Sequence, residues 1–281
     1  MSYSLDLYFE PSLPPERVVG YFAERPNFSV EDKGIFYWNE DTQVDFSVKL
    51  QTDRSFLSRE VVVSAEFEIN YCRPSYFGIE AEREVGDFVA TFRPRIEDDQ
   101  MRGMGEGPYS REEFLSGWNF GNLFCLGRAL SSDPDFPAAT MPADALRAAW
   151  EWNYHLAKEK LACPGFMPRI MFSDVEGRPS RVAIWPQGMP VSLPRVDHVL
   201  IGRLVANEKR FGIATWSEIL EVARNAGFDT TKPRLDLHYR VTPVPISAWV
   251  ENIALIDLDA AGRLDPAKVI DDELVAAARA R

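Results

Sequence analysis

The sequence predicts an α+β protein: an antiparallel sheet with helices packed on one face, in two subdomains joined by a helical segment. Three observations lead there. Short N-terminal segments alternate apolar and polar residues with a period of two and are separated by turn residues, as antiparallel hairpins require. Other segments repeat apolar residues at helical spacing. Two S/T-x-x-E sequences, at Ser110–Glu113 and Thr215–Glu218, mark helix starts by reciprocal capping.

Each element follows in order. In "SLDLYFEP", Leu5, Leu7 and Phe9 share one face of a strand. Ser12 is a possible cap and Pro14–Pro15 suits a first helical turn, with Val18, Val19 and Phe22 as the apolar stripe and Pro26 as the stop. The next segments turn at Lys33–Gly34 and at Asn39–Asp41, and Val61 to Ile69 alternate again. Val85, Phe88, Val89 and Phe92 return to helical spacing, so residues 1–100 read β-α-β-β-β-β-α. Helices are expected over 110–130 and about 143–161. The stretch 131–144, "SSDPDFPAATMPAD", has the Pro, Asp and Ser content of a linker. The expected domains are therefore an acidic unit over 1–130, linker plus helix over 131–164, and a smaller α+β unit over 165–281. In that last unit a hairpin turns at Glu176–Arg178, a strand covers 196–205, and a helix opened by Thr215 runs to Asn225 and stops at Gly227. The last ten residues read as a short, partly frayed helix.

The chain has 281 residues and a net charge of −12. The charge is uneven: residues 1–130 hold 13 basic and 23 acidic residues, a balance of −10, and the remainder holds 18 and 20, a balance of −2. Such an N-terminal half repels phosphate, which disfavours nucleic acid and anionic membrane and favours a basic protein partner. Acidity that serves only solubility is the plainer alternative. No apolar run has the length of a membrane span, the N-terminus lacks the pattern of a signal peptide, and three widely spaced cysteines suit a reducing cytoplasm.

Few motifs point to chemistry. The glycines of "MRGMGEGPYSREEF" precede a helix start, as in phosphate-binding loops. The Gly-Lys-Ser/Thr of such loops is missing, Ser110 already caps the helix, and Glu97, Asp98 and Asp99 would repel an anion. The loop is read as a turn, with an acidic surface for a basic partner as the second reading. No zinc spacing links His155, His198 and His238, the carboxylates match no calcium loop, and no G-x-S-x-G elbow is present, so neither metal nor other cofactor is expected. Cys125 lies in an apolar stripe, and Cys72 has Arg73 beside it but no base placed by the sequence. One of Asn119 and Asn122, inside an apolar helix, is expected to tie down the glycine loop. Tyr37 and Trp38 precede an acidic turn, which is material for an interface anchor.

"SLDLYFEP" followed by "YFAERPNFSVEDKGIFYWNEDTQVDFSVKL" resembles the N-terminal part of bacterial immunity proteins, which accompany secreted polymorphic or type VI toxins. The likeness spans about the first 125 residues and rests on strand–helix–strand order and the "NED" hairpin. It implies a cytoplasmic protein that binds and blocks a cognate toxin, and it carries over no functional residues. The residues expected to meet a toxin or other basic protein are Trp38, Glu40, Asp41, Asp98, Asp99 and Glu106. The competing readings are a hydrolase-like enzyme with its site between the subdomains, near Cys72 and Gly103–Tyr109, and a non-toxin adaptor.

Overall fold

A computed structural model describes residues 1–31, 34–53, 60–133, 136–137, 139–205, 208–256 and 262–281. The expected turn at Lys33 lies outside the described residues. The chain divides into two compact units, one formed by residues 1–143 with 267–281, the other by 144–266.

The first unit is built on strands β1 (Ser2–Leu13), β2 (Phe28–Glu31), β3 (Gly34–Trp38), β4 (Asp45–Asp53), β5 (Val61–Asn70), β6 (Arg95–Asp98) and β7 (Gly105–Gly107). They form one sheet in the order β2-β3-β4-β5-β1-β6-β7, with every neighbouring pair antiparallel. Helices α1 (Pro15–Ala23), α2 (Tyr76–Phe92) and α3 (Arg111–Ser132) supply the opposing layer. The fold class is α+β. Because side chains alternate along a strand, Tyr3, Leu5, Leu7 and Phe9 of β1 and Phe67 and Ile69 of β5 all point at the helices and are buried. Aromatic contacts fill the layer: Phe9 and Phe22 meet Phe88, and Tyr3 and Phe67 meet Phe114. Each such side chain contributes about 1.5–3 kcal/mol by leaving water. Ser12 does not cap α1; it belongs to β1, and the helix is entered at Pro14 without a side-chain cap.

Two buried carboxylates lock loops to this frame. Glu80 on α2 accepts hydrogen bonds from the Tyr37 hydroxyl (2.7 Å), Asn39 Nδ2 (2.8 Å) and Thr42 Oγ1 (3.0 Å), and so fixes the β3–β4 turn. Asp271 accepts from the Ser75 amide (2.8 Å) and hydroxyl (2.6 Å) at the start of α2. Asp271 ends β17 (Val269–Asp271), which pairs in parallel with β8 (Ala139–Met141). Helix α7 (Asp272–Arg279) follows, and its Val275 and Ala278 pack with Leu126 of α3 and Ile270. The expected short C-terminal helix is present, and Val275 and Ala278 anchor it in the first unit while Ala280 and Arg281 are exposed. The stretch read as a linker contains β8.

The second unit begins with α4 (Ala143–Ala162). The sequence grouped this helix with a linker, yet Asn153 pins the following chain by donating to the Ile170 carbonyl and accepting from its amide, both at 2.9 Å. Strands β9 (Met171–Val175), β10 (Arg178–Pro186), β12 (His198–Val205), β13 (Glu208–Thr215), β15 (Leu255–Ile256) and β16 (Gly262–Arg263) form a sheet in the order β15-β13-β12-β10-β9-β16. The β9–β10 turn holds Glu176 at φ 55° and Gly177 at φ 76°, the pair of left-handed residues that a tight hairpin needs. Strands β10 and β12 pair in parallel, because β11 (Val191–Leu193) leaves the sheet between them to pair with β14 (Leu235–Leu237). Helix α5 (Trp216–Asn225) starts at a complete Thr215–Glu218 capping box, and α6 (Val244–Asn252) follows β14.

Candidate functional site

The face of the first sheet turned away from its helices carries the polar residues of the strand alternation, and the pairing register assembles them into rows. One row runs Phe36–Ser47–Glu68–Ser4 across β3, β4, β5 and β1. The next runs Lys49–Glu66–Asp6–Glu97–Glu106 across β4, β5, β1, β6 and β7. Glu66, Asp6, Glu97 and Glu106 are therefore directly opposed carboxylates on four adjacent strands. Opposed side chains have Cβ atoms only about 5 Å apart, and like charges in that position destabilise a sheet.

The electrostatics of the row follow from this geometry. Lys49 at its end is committed to Glu68, with Nζ–Oε2 at 2.7 Å, and that contact with the Ser2 hydroxyl holds the Glu68 carboxyl below the usual range. The Asp6 carboxyl is pushed up, first by burial and then by Glu66, Asp99 and Glu97. Arg95 lies over the Tyr8 ring at 4.5 Å and reaches Glu97 at 3.6 Å, so one cation touches the stripe's flank.

At the other side of the same face, Trp38 is 50% exposed and Phe36 37%. They border a shallow groove of about 410 Å³ with Asp45, Ser47, Glu68 and Asn70. Trp38 stands opposite Asp45. Glu40 is exposed on the β3–β4 turn, and Asp41 donates its amide to Asn39 Oδ1 at 3.0 Å within that turn.

The six residues expected from the sequence therefore fall into two groups. Trp38, Glu40 and Asp41 lie at β3, while Asp99 and Glu106 lie at β6 and β7. Four strand spacings separate β3 from β6, roughly 19 Å. Asp98 departs from the expected surface position. It is 3% exposed and accepts from the Tyr3 hydroxyl (2.8 Å), the Gln100 amide (3.0 Å) and the Met104 amide (2.9 Å). The glycine loop is thus folded around its own carboxylate, and amides that a phosphate would need are spent on Asp98. Gly103 is required there because a Cβ would collide with that carboxylate. Sequence reasoning counted Glu97 among the acids of the glycine loop but left it out of the expected contact residues, along with Asp6, Glu66 and Glu68. Their period-two placement reads as an ordinary solvated face, and only the register shows that they stand side by side.

Other expectations settle differently. Asn122 ties down residues 72–73 and not the glycine loop: Oδ1 accepts from the Cys72 amide at 2.7 Å and Nδ2 donates to the Arg73 carbonyl at 2.9 Å. Burial pushes the Cys72 thiol up despite Arg73, and does the same to Cys125. The Asp197 carboxylate forks onto Arg181 at 2.8 and 3.1 Å, and although burial opposes ionisation, those bonds hold it below the usual range. Among the described residues, no group of three or more His, Cys, Asp or Glu side chains is arranged to hold a metal ion. No described helix is long and apolar enough to cross a membrane.

No protein-family model, curated protein or solved structure matches this chain.

Proposed function

We propose that the protein is an immunity-type binder that acts in the cytoplasm and neutralises a cognate bacterial toxin by direct contact through the open face of its first sheet. One observation carries the reading: the row Glu66–Asp6–Glu97–Glu106, in which four carboxylates face each other across adjacent strands. Acidity needed only for solubility is served by scattered charges. Opposed carboxylates destabilise the free sheet, and a basic partner relieves that repulsion on binding. The mechanism is electrostatic attraction of a basic surface to the stripe, followed by seating against Trp38 and Phe36 at the groove. Neutralisation then follows from occlusion of the toxin's own site. The acids Asp99 and Glu40 extend the field around this face.

The test is affinity capture from the source cells with wild-type protein and a Glu66→Lys/Glu97→Lys/Glu106→Lys variant in parallel. The captured protein is then expressed with and without each form. A basic protein retained by wild type, lost by the variant, and toxic unless wild type is present would support the reading. A partner retained equally by both forms would place the contact elsewhere, and one harmless to cells would make the protein an adaptor.

A further inference from the structure

A second cluster lies wholly within the other unit. Ser192 on β11 and Asp236 on β14 are direct partners in that ladder, and the buried Ser192 hydroxyl donates to Asp236 Oδ1 at 2.5 Å. The Arg234 guanidinium holds the same oxygen at 3.0 Å. With its one proton given to Asp236, Ser192 Oγ can only accept from its other neighbours. These are His238 Nε2 at 3.0 Å and Cys163 Sγ at 3.3 Å. The network therefore assigns a proton to His238 Nε2. That nitrogen also lies 4.0 Å from Cys163 Sγ.

The backbone builds this arrangement. Phe166 donates to the Pro190 carbonyl (2.8 Å) and accepts from the Ser192 amide (2.9 Å), which lays the segment after α4 along β11. Gly165 leaves room for the imidazole, since a Cβ there would come within 3.1 Å of the ring. Cys163 remains partly exposed beside the Ser192 oxygen and the His238 ring.

We propose that Cys163 is a thiol-modification site that exchanges with low-molecular-weight disulfides, with His238 and Ser192 as positioning residues. The Cys163 sulfur gives its proton to solvent and attacks one sulfur of R–S–S–R. The old S–S bond breaks, a Cys163–S–S–R bond forms, and the leaving thiolate takes up a proton as R–S–H. No other oxidant is consumed. While Cys163 is a thiol, its contact with Ser192 Oγ sets where the sulfur sits; once the proton has left, the Nε2–H of His238 is the donor beside the sulfur, and the half-open position admits a small disulfide. Cys72 and Cys125 provide an internal comparison, since burial disfavours ionisation of both.

The experiment treats the native protein with glutathione disulfide and follows intact mass and peptide maps over time. The expected result is a first adduct at Cys163, reversed by dithiothreitol. His238→Leu should slow it roughly threefold to tenfold, and His238→Gln, which keeps an N–H donor, should recover most of the rate. No adduct, a first adduct at Cys72 or Cys125, or a rate unchanged in His238→Leu would overturn the proposal. If His238→Leu does not fold, the order of modification in wild type decides.

Discussion

Asp6 shows what the stripe does to a single side chain. It sits between Glu66 and Glu97, and its carboxyl is raised by burial and by those neighbours. A group whose folded pKa lies above its unfolded value favours the fold below the unfolded value, and this contribution is lost as pH rises through the folded value. Asp6→Asn should therefore stabilise the free protein at neutral pH by a few tenths to about 1 kcal/mol, and by less in acid, where the carboxyl is already neutral. Thermal melts at pH 7 and near pH 4 check both sign and trend. Glu80 is the opposite case, a buried acid that the fold uses. Glu80→Ala leaves Tyr37, Asn39 and Thr42 without their shared acceptor and should cost about 2–4 kcal/mol in denaturant unfolding, with Glu80→Gln losing less. The sequence does not separate these two roles. Asp98 and Asp99 are adjacent acids, one buried beneath the glycine loop and one exposed beside Asp6, and only strand parity distinguishes them.

At the scale of elements, strand and helix order through α2 was legible because period-two and helical spacing are local properties, whereas the four-residue β6 that follows was too short to show a period. The β9–β10 turn and the Thr215 cap were legible for the same reason: their chemistry is contained in three or four neighbouring residues. Register and long-range pairing were not. Nothing local indicates that β1 lies between β5 and β6, or that β17 returns to pair with β8. The acidic row depends on the first of these and the C-terminal anchor on the second. Removing residues 272–281 should expose Leu126 and Ile270 and leave Asp271 unsupported, lowering the stability of the first unit by several kcal/mol. Near-ultraviolet circular dichroism and dye binding to exposed apolar surface would report it. A merely frayed end would show no change in either.

For the molecule as a whole, charge is distributed by unit. The sequence located the acidity in residues 1–130, and the structure concentrates part of it on one sheet face beside Trp38 and Phe36. The partner-facing reading of that surface makes a kinetic prediction, because opposed carboxylates act at a distance before any contact forms. Electrostatic steering raises association rates by about 10- to 1,000-fold and is screened by salt, whereas anchoring aromatics act mainly on dissociation. Trp38→Ala should therefore speed release with little change in the association rate. The most direct measurement is stopped-flow association of the captured partner with wild type and with Glu66→Gln/Glu97→Gln/Glu106→Gln across ionic strength. The stripe predicts an association rate that falls steeply with salt in wild type and is slower and flatter in the variant. Equal rates with equal salt dependence in both proteins would contradict it.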